Sequence, residues 1–214
     1  MPVLLSVASL PLSLIFFLAD GFLLSFTGYQ GEGMQPIVRS IIAAFVSAGF
    51  PEELSKLLMM LLSFLLFHSK IKNVYECILI GAAIGFGFTT LEEFAYGSSG
   101  LAALLRLFTI GAHMCFGIVM SRHLGMALHK KLSGAGGAAG DCILALVLPV
   151  LIHTLYDAFT AFNRMMENED DAISLAGMLL ALVTILIMFI WQIVSLVGLK
   201  KNAEKYCAMD VSKM

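Results

Sequence analysis

The chain has 214 residues, 59% of them hydrophobic and 13% charged, with a mean hydropathy of +0.92 and a formal net charge of -2. This composition excludes a soluble domain, which needs a far more polar surface, and the absence of a basic cluster excludes nucleic acid as a partner. It implies a polytopic membrane protein bathed by the lipid bilayer, with room for about six spans of about 20 apolar residues and none for a second, soluble domain.

The first apolar run, Pro2 to Phe26, is long enough to span, and no basic segment marks it as a cleavable signal. Asp20 near its far end reads as an interfacial carboxylate, and a polar Gly-rich loop follows from Thr27 to Gly33. Met34 to Phe67 is too long for one straight span. Proline suits a first helical position and disrupts a helix interior, so Gly49-Phe50-Pro51 is the expected break. Ile37 to Ala48 then forms a short interfacial helix, and Pro51 to Phe67 the second span. His68 to Asn73 is a short loop.

The third span runs from Val74 to Tyr96. Its centre, Gly81-Ala82-Ala83-Ile84-Gly85-Phe86-Gly87, has small residues spaced to let helix backbones approach. Glu92 and Glu93 close it, and Ser98-Ser99-Gly100 turns the chain. The fourth span, Leu104 to Leu128, contains Arg106 and His113. Ser133 to Gly140 reads as a flexible connector. The fifth span, Cys142 to Phe162, holds His153 and Asp157. An acidic loop follows with Glu167, Glu169, Asp170 and Asp171. The sixth span, Ile173 to Leu199, carries no charge. The predicted fold class is all-α: a transmembrane helical bundle of about six spans plus a short interfacial helix, with residues 1–214 forming one domain.

Lysine and arginine favour the cytoplasmic side. Lys70, Lys72, Arg122, Lys130, Lys131, Lys200, Lys201, Lys205 and Lys213 fall on one side, against Arg39, Arg106 and Arg164 on the other. The bias predicts an integral cell-membrane protein with both termini cytoplasmic. Cys77, Cys115, Cys142 and Cys207 lack metal or redox spacing and read as packing residues.

The ionisable residues inside the apolar segments carry the functional signal, because charge there is expensive. Glu52, Glu53 and Lys56 open the second span, Glu92 and Glu93 close the third, His113 lies near the outer end of the fourth, and His153 and Asp157 lie in the outer half of the fifth. Four helices thus bring these groups to one depth. Glu52 and Lys56 stand at i and i+4 and can pair, with Glu53 pointing elsewhere. Asp157 can orient His153 in the same way. Phe88 shares a face with Glu92 and can desolvate it. Such a set can activate water, with a glutamate as general base and histidines stabilising an oxyanion. Glu52, Glu92, His113 and His153 could also hold a divalent metal such as zinc, although no His-Glu-x-x-His is present. Outside the set, Glu93 reads as interfacial and Arg106 as a snorkelling residue. His68, His123 and His129 read as loop residues without a role.

These residues resemble the PrsW family of intramembrane proteases, within the CAAX-processing and bacteriocin-processing group. The family's Glu-Glu-x-x-Lys matches Glu52-Glu53-Leu54-Ser55-Lys56. Its Phe-x-x-x-Glu matches Phe88-Thr89-Thr90-Leu91-Glu92, after Gly85-Phe86-Gly87 and before Tyr96. Its two later histidines match His113 and His153. The resemblance covers the second to fifth spans, residues 49–157. It implies hydrolysis of membrane-anchored, regulatory proteins, with Glu52, Glu53, Glu92, His113 and His153 as catalytic residues and Lys56, Phe88 and Asp157 in support. CAAX-type relatives have His where this chain has Glu92 and Asn where it has Asp157, which argues against prenyl-protein processing and leaves glutamic and metal-assisted mechanisms both open. Two rival readings are a proton-coupled transporter or channel and a scaffold of the same fold, such as the APH subunit of gamma-secretase.

Overall fold

A computed structural model describes residues 35–96, 100–165 and 171–213. The expected first span with Asp20, the loop after it, Ser98, Ser99, Glu167, Glu169 and Asp170 lie outside the described residues. Within them, all regular structure is helical apart from one isolated β-bridge between Asn73 and Asp210.

Helix α1 (Pro36–Ala44) begins with a proline at its first turn, where the missing N–H costs nothing. The chain does not break at Gly49-Phe50-Pro51 as expected. It continues through a π-helical turn, Phe45–Gly49, into α2 (Phe50–Phe67), with Gly49 and Phe50 both in helical conformation. The N–H of Phe50 bonds back five residues to the carbonyl of Phe45. An inserted residue of this kind widens the turn and lets a helix accept a proline that would otherwise clash with the carbonyl four residues back. Gly49 is buried against Thr154, and a Cβ there would collide with the threonine hydroxyl.

A one-turn 3₁₀ segment (His68–Lys70) leads to α3 (Val74–Tyr96). The expected fourth span is two helices, α4 (Gly100–Leu107) and α5 (Ala112–Ser133), separated by a turn at 108–111. Gly134, with φ +73°, ends α5 in the left-handed conformation, its N–H bonding Lys130 O. The connector is therefore only 134–137, shorter than expected, and α6 (Ala138–Met165) begins at once. Helix α7 (Asp171–Lys201) and the short α8 (Ala203–Cys207) complete the chain.

Among the described residues four helical stretches are long and apolar enough to cross a membrane: Val74–Glu93, Leu104–Ser133, Ala138–Thr160 and Leu175–Lys201. Helix α2 is not among them. It has 18 residues, and its first turns carry Glu52, Glu53 and Lys56; at 1.5 Å per residue it is about 27 Å long, a little under the hydrocarbon thickness.

Helices α3 and α5 form the tightest pair. A Cβ on Gly81 would collide with the carbonyl of Gly117 and the side chain of Ser121, and one on Gly117 with the carbonyl of Gly81. Gly85 stands equally close to the backbone of His113 and Met114. The small residues of α3 therefore set how far His113 stands from α3.

The C-terminal segment folds back onto the bundle. Val74 N–H bonds Met209 O at 3.1 Å, and Val211 N–H bonds Lys72 O at 2.9 Å. Tyr206 and Val211 join a core with Phe64, Ile71, Val74, Cys77, Ile78 and Ile118. His123 and His129 are not loop residues: both belong to α5. His123 is buried and its Nδ1 lies 3.0 Å from Asp141 Oδ1, whose other oxygen accepts from Lys130 Nζ at 2.6 Å.

Replacing Gly117 by Val forces α3 and α5 apart, so the unfolding midpoint in detergent falls, with a stability loss of about 1–3 kcal/mol. Gly140→Ala, at a position open on all sides, leaves the midpoint unchanged in the same thermal melt.

Candidate functional site

The π turn and the first two turns of α2 present three ionisable side chains to the bundle interior. Lys56 and Glu53 are fully enclosed, each with 0% exposure. Lys56 Nζ lies 2.6 Å from Glu53 Oε1 and 3.8 Å from Glu52 Oε2. The expected pairing is thus reversed: Glu53 turns inward with the lysine, and Glu52 is the looser neighbour. Residues at i and i+3 share a helix face as closely as i and i+4 do, so the spacing alone could not choose between them.

From this pair the network runs outward. Lys56 Nζ donates to His113 Nδ1 at 2.7 Å. A lysine ammonium only donates, so His113 carries its hydrogen on Nε2 and gives it to Glu92 Oε2 at 2.6 Å. The other oxygen of Glu92 receives Arg106, 3.2 Å away, and Arg106 also reaches Glu93 at 2.7 Å. On the other side His153 Nδ1 donates to Glu53 Oε1 at 2.8 Å. Its Nε2 lies 3.3 Å from Asp157 Oδ2 and 4.0 Å from Glu52 Oε2.

Aromatic rings wall the cluster. Lys56 Nζ stands 4.2 Å from the centre of the Phe88 ring, a cation–π contact. Phe88 lies 5.0 Å from the His113 ring, so its face serves the lysine and histidine. Phe116 stacks on His153 at 5.2 Å and meets Trp191 at 5.4 Å. The two imidazoles are 5.1 Å apart, nearly perpendicular.

All eight residues singled out in the sequence converge here: Glu52, Glu53, Lys56, Phe88, Glu92, His113, His153 and Asp157. Three further residues belong to the cluster: Arg106, Phe116 and Trp191. Arg106 neutralises Glu92 and Glu93, and an arginine seven residues before His113 was the available signal. Phe116 and Trp191 left no signal, since aromatic residues are ordinary in apolar helices.

The donor set can be tested against a metal ion. Glu52, His113 and His153 each offer one ligand atom, and these lie within 4.8 Å of one another. One carboxylate and two imidazoles form a familiar catalytic zinc set. Each imidazole also keeps its other nitrogen on a carboxylate, Glu92 behind His113 and Glu53 behind His153, the arrangement that orients metal-bound histidines. Glu52 Oε2 and Glu53 Oε2 are buried without a hydrogen-bond partner, which is costly unless something positive or a proton donor meets them. These residues fit a divalent cation once Lys56 Nζ, which occupies His113 Nδ1, gives up that nitrogen. Glu92, expected among the ligands, instead stands behind His113, and Lys56 Nζ holds the space between His113 and Glu52.

The family profile described as PrsW family intramembrane metalloprotease matches residues 3–196. The chain is 30% identical over 149 residues to Protease PrsW of Halalkalibacterium halodurans, covering 66% of this chain and 59% of that protein. It is 32% identical over 121 residues to Protease PrsW of Bacillus subtilis, covering 55% and 54%. For Protease PrsW of Shouchella clausii the identity is 34% over 123 residues, covering 53% and 52%. The chain thus spans a little over half the length of these relatives. No solved structure matches. With its apolar helices this is an integral membrane protein, and the chain belongs to the PrsW family of intramembrane metalloproteases.

Proposed function

We propose that this chain is an intramembrane endopeptidase that hydrolyses peptide bonds of membrane-anchored regulatory proteins. The observation that carries the proposal is the convergence of Glu52, His113 and His153, each imidazole backed by its own carboxylate. The protein crosses the membrane about six times, with both termini cytoplasmic and the cluster toward the opposite side. Relay-type transport fits less well, because the acids and histidines collect in one place and α7 offers no ionisable groups along its apolar length.

In this reading Glu52 faces the reacting water. Its side chain is partly accessible, whereas Glu53 is sealed and committed to Lys56 and His153. Water oxygen adds to the peptide carbonyl carbon, its proton passing to the free carboxylate oxygen of Glu52. The C–N bond then breaks as that proton moves to the leaving amine nitrogen, and the second product ends as a carboxylate. His153 Nε2, beside Glu52, faces the oxygen that gains negative charge; His113, accepting from Lys56 and donating to Glu92, links those two groups, and Lys56 adds positive charge without moving. Asp157 keeps His153 in its rotamer. A divalent metal such as zinc, held by Glu52, His113 and His153, would supply Lewis acidity and lower the pKa of a bound water. Glu52 would then be a ligand, and Glu53 would hold Lys56 and His153 in place behind it.

Two substitutions test the assignment. Cleavage of a single-pass membrane substrate by purified Glu52→Ala and His153→Ala variants is expected to fall at least about 100-fold; unchanged cleavage in both removes the assignment. Elemental analysis separates the two roles of Glu52. If it is a ligand, zinc content is lost in Glu52→Ala as in Glu52→Ala/His113→Ala. If it is a base, Glu52→Ala keeps the ion and loses only cleavage.

Glu53 and Glu52 should also differ in stability. Glu53→Gln leaves Lys56 enclosed with its closest counter-charge gone, a loss of about 3–5 kcal/mol for a broken buried pair. Glu52→Gln breaks no hydrogen bond of its carboxylate Oε2 and keeps the parent's unfolding midpoint.

A further inference from the structure

Helix α7 is the most lipid-exposed of the apolar helices, and Leu179, Leu186, Ile190 and Val194 lie open along it. Met188 and Gln192 are buried on its inner face, and Gln192 is the polar one of the two. It is 7% exposed, a primary amide in a segment where an unbonded amide is expensive. Its Nε2 donates to Phe108 O at 2.9 Å and, more weakly, to Met188 O of its own helix at 3.3 Å. Phe108 opens the turn between α4 and α5. In an unbroken helix the N–H of Ala112 would reach Phe108 O; here it bonds Thr109 O at 2.8 Å. The amide of Gln192 therefore takes the carbonyl that the turn has released.

The rest of the turn is shaped around this contact. Gly111 makes room for it, because a Cβ there would stand 2.6 Å from Gln192 Oε1. Tyr156 Oη donates to Thr109 Oγ1 at 3.1 Å, and Phe108 packs edge-on against Phe189 at 5.5 Å. The consequence lies at Glu92. Residues 106 and 113, seven apart in an unbroken helix, would be separated by about 10 Å along the axis. Across the turn, Arg106 and His113 instead bind the two oxygens of one carboxylate.

We infer that Gln192 is a positioning residue: its amide holds the break between α4 and α5 open, so that Arg106 and His113 meet on Glu92 and His113 faces the cluster. It touches neither substrate nor the reacting atoms and acts through residues 108–113. The inference rests on the protease reading for its kinetic consequence but not for its structural one.

Gln192→Leu keeps the size of the side chain and suits the membrane. The control is Thr184→Val, which removes a hydroxyl bonded to Leu180 O of the same helix. Hydrogen exchange of the full-length protein in detergent is expected to quicken about fivefold or more in peptides covering 108–116 of Gln192→Leu, and nowhere else, because a clamp on a local opening is gone. The unfolding midpoint stays level. On a single-pass substrate kcat falls about tenfold while KM moves less than about threefold, as misplacement of a reacting group predicts. Thr184→Val matches the parent throughout. Unchanged exchange at 108–116 overturns the inference, as does faster exchange with unaltered kcat. A lowered midpoint with exchange quickened throughout would reduce Gln192 to a stability role and overturns it as well. If the parent itself cleaves nothing, the protease reading fails, and the exchange measurement alone decides whether Gln192 clamps the turn.

Discussion

The contact on which the site depends is the one between Lys56 and Glu53. Both are wholly enclosed, and neither is tolerable there alone. Glu53 Oε1 receives both Lys56 and His153, and Lys56 in turn fixes the tautomer of His113. The positions of two imidazoles on two further helices therefore follow from one pair on α2. Remove it and no element of the fold would tell His113 which nitrogen to offer. The Phe88 ring beneath the amine helps hold the lysine where two carboxylates alone would let it shift.

Regular helices could not assemble this arrangement. A lysine, two acids and a close neighbouring helix must coincide at the start of α2, and the π turn before it provides the fit. It carries Gly49 into contact with Thr154, the residue after His153. A second irregularity, the turn at 108–111, lies between Arg106 and His113, which hold the two oxygens of Glu92. Each departure from helix geometry is adjacent to a cluster residue; the π turn packs on Thr154, and the turn at 108–111 is held by polar groups of Gln192 and Tyr156. Backbone irregularity at membrane depth survives only where such groups satisfy it.

Much of the site was legible in the sequence because charge is scarce there. With only 13% of residues charged, the acids and histidines inside apolar runs stood out, and helical spacing placed them at a common level. The pairing within the site was not legible. Glu52 and Glu53 are equivalent candidates for Lys56 by spacing, and the choice is made by His153, a hundred residues away. The proline at 51 signalled an interruption, but whether a helix kinks, ends or widens depends on what packs opposite, here Thr154. The α4–α5 turn was hidden for the reverse reason. Phe108, Thr109, Ile110 and Gly111 include no proline, a lone glycine is tolerated inside membrane helices, and the stabilising amide comes from α7. His123 was misplaced because its partner Asp141 lies across a connection that proved shorter than its glycines suggested.

The charge balance explains why the cluster points toward a cation. Among the described residues, Glu52, Glu53 and Glu92 face Lys56 and Arg106, so three carboxylates meet two cations, with Asp157 and Glu93 at the margin. Arg106 pairs with Glu92 and Glu93, and Lys56 lies closest to Glu53. The least matched carboxylate is Glu52, one of two with an orphaned oxygen and the one that stands with both imidazoles as a ligand set. In a medium of low dielectric that excess draws positive charge, whether a metal ion or a proton taken from water. The same residue is thus singled out by electrostatics, by accessibility and by its open coordination, three properties that arise from different parts of the fold.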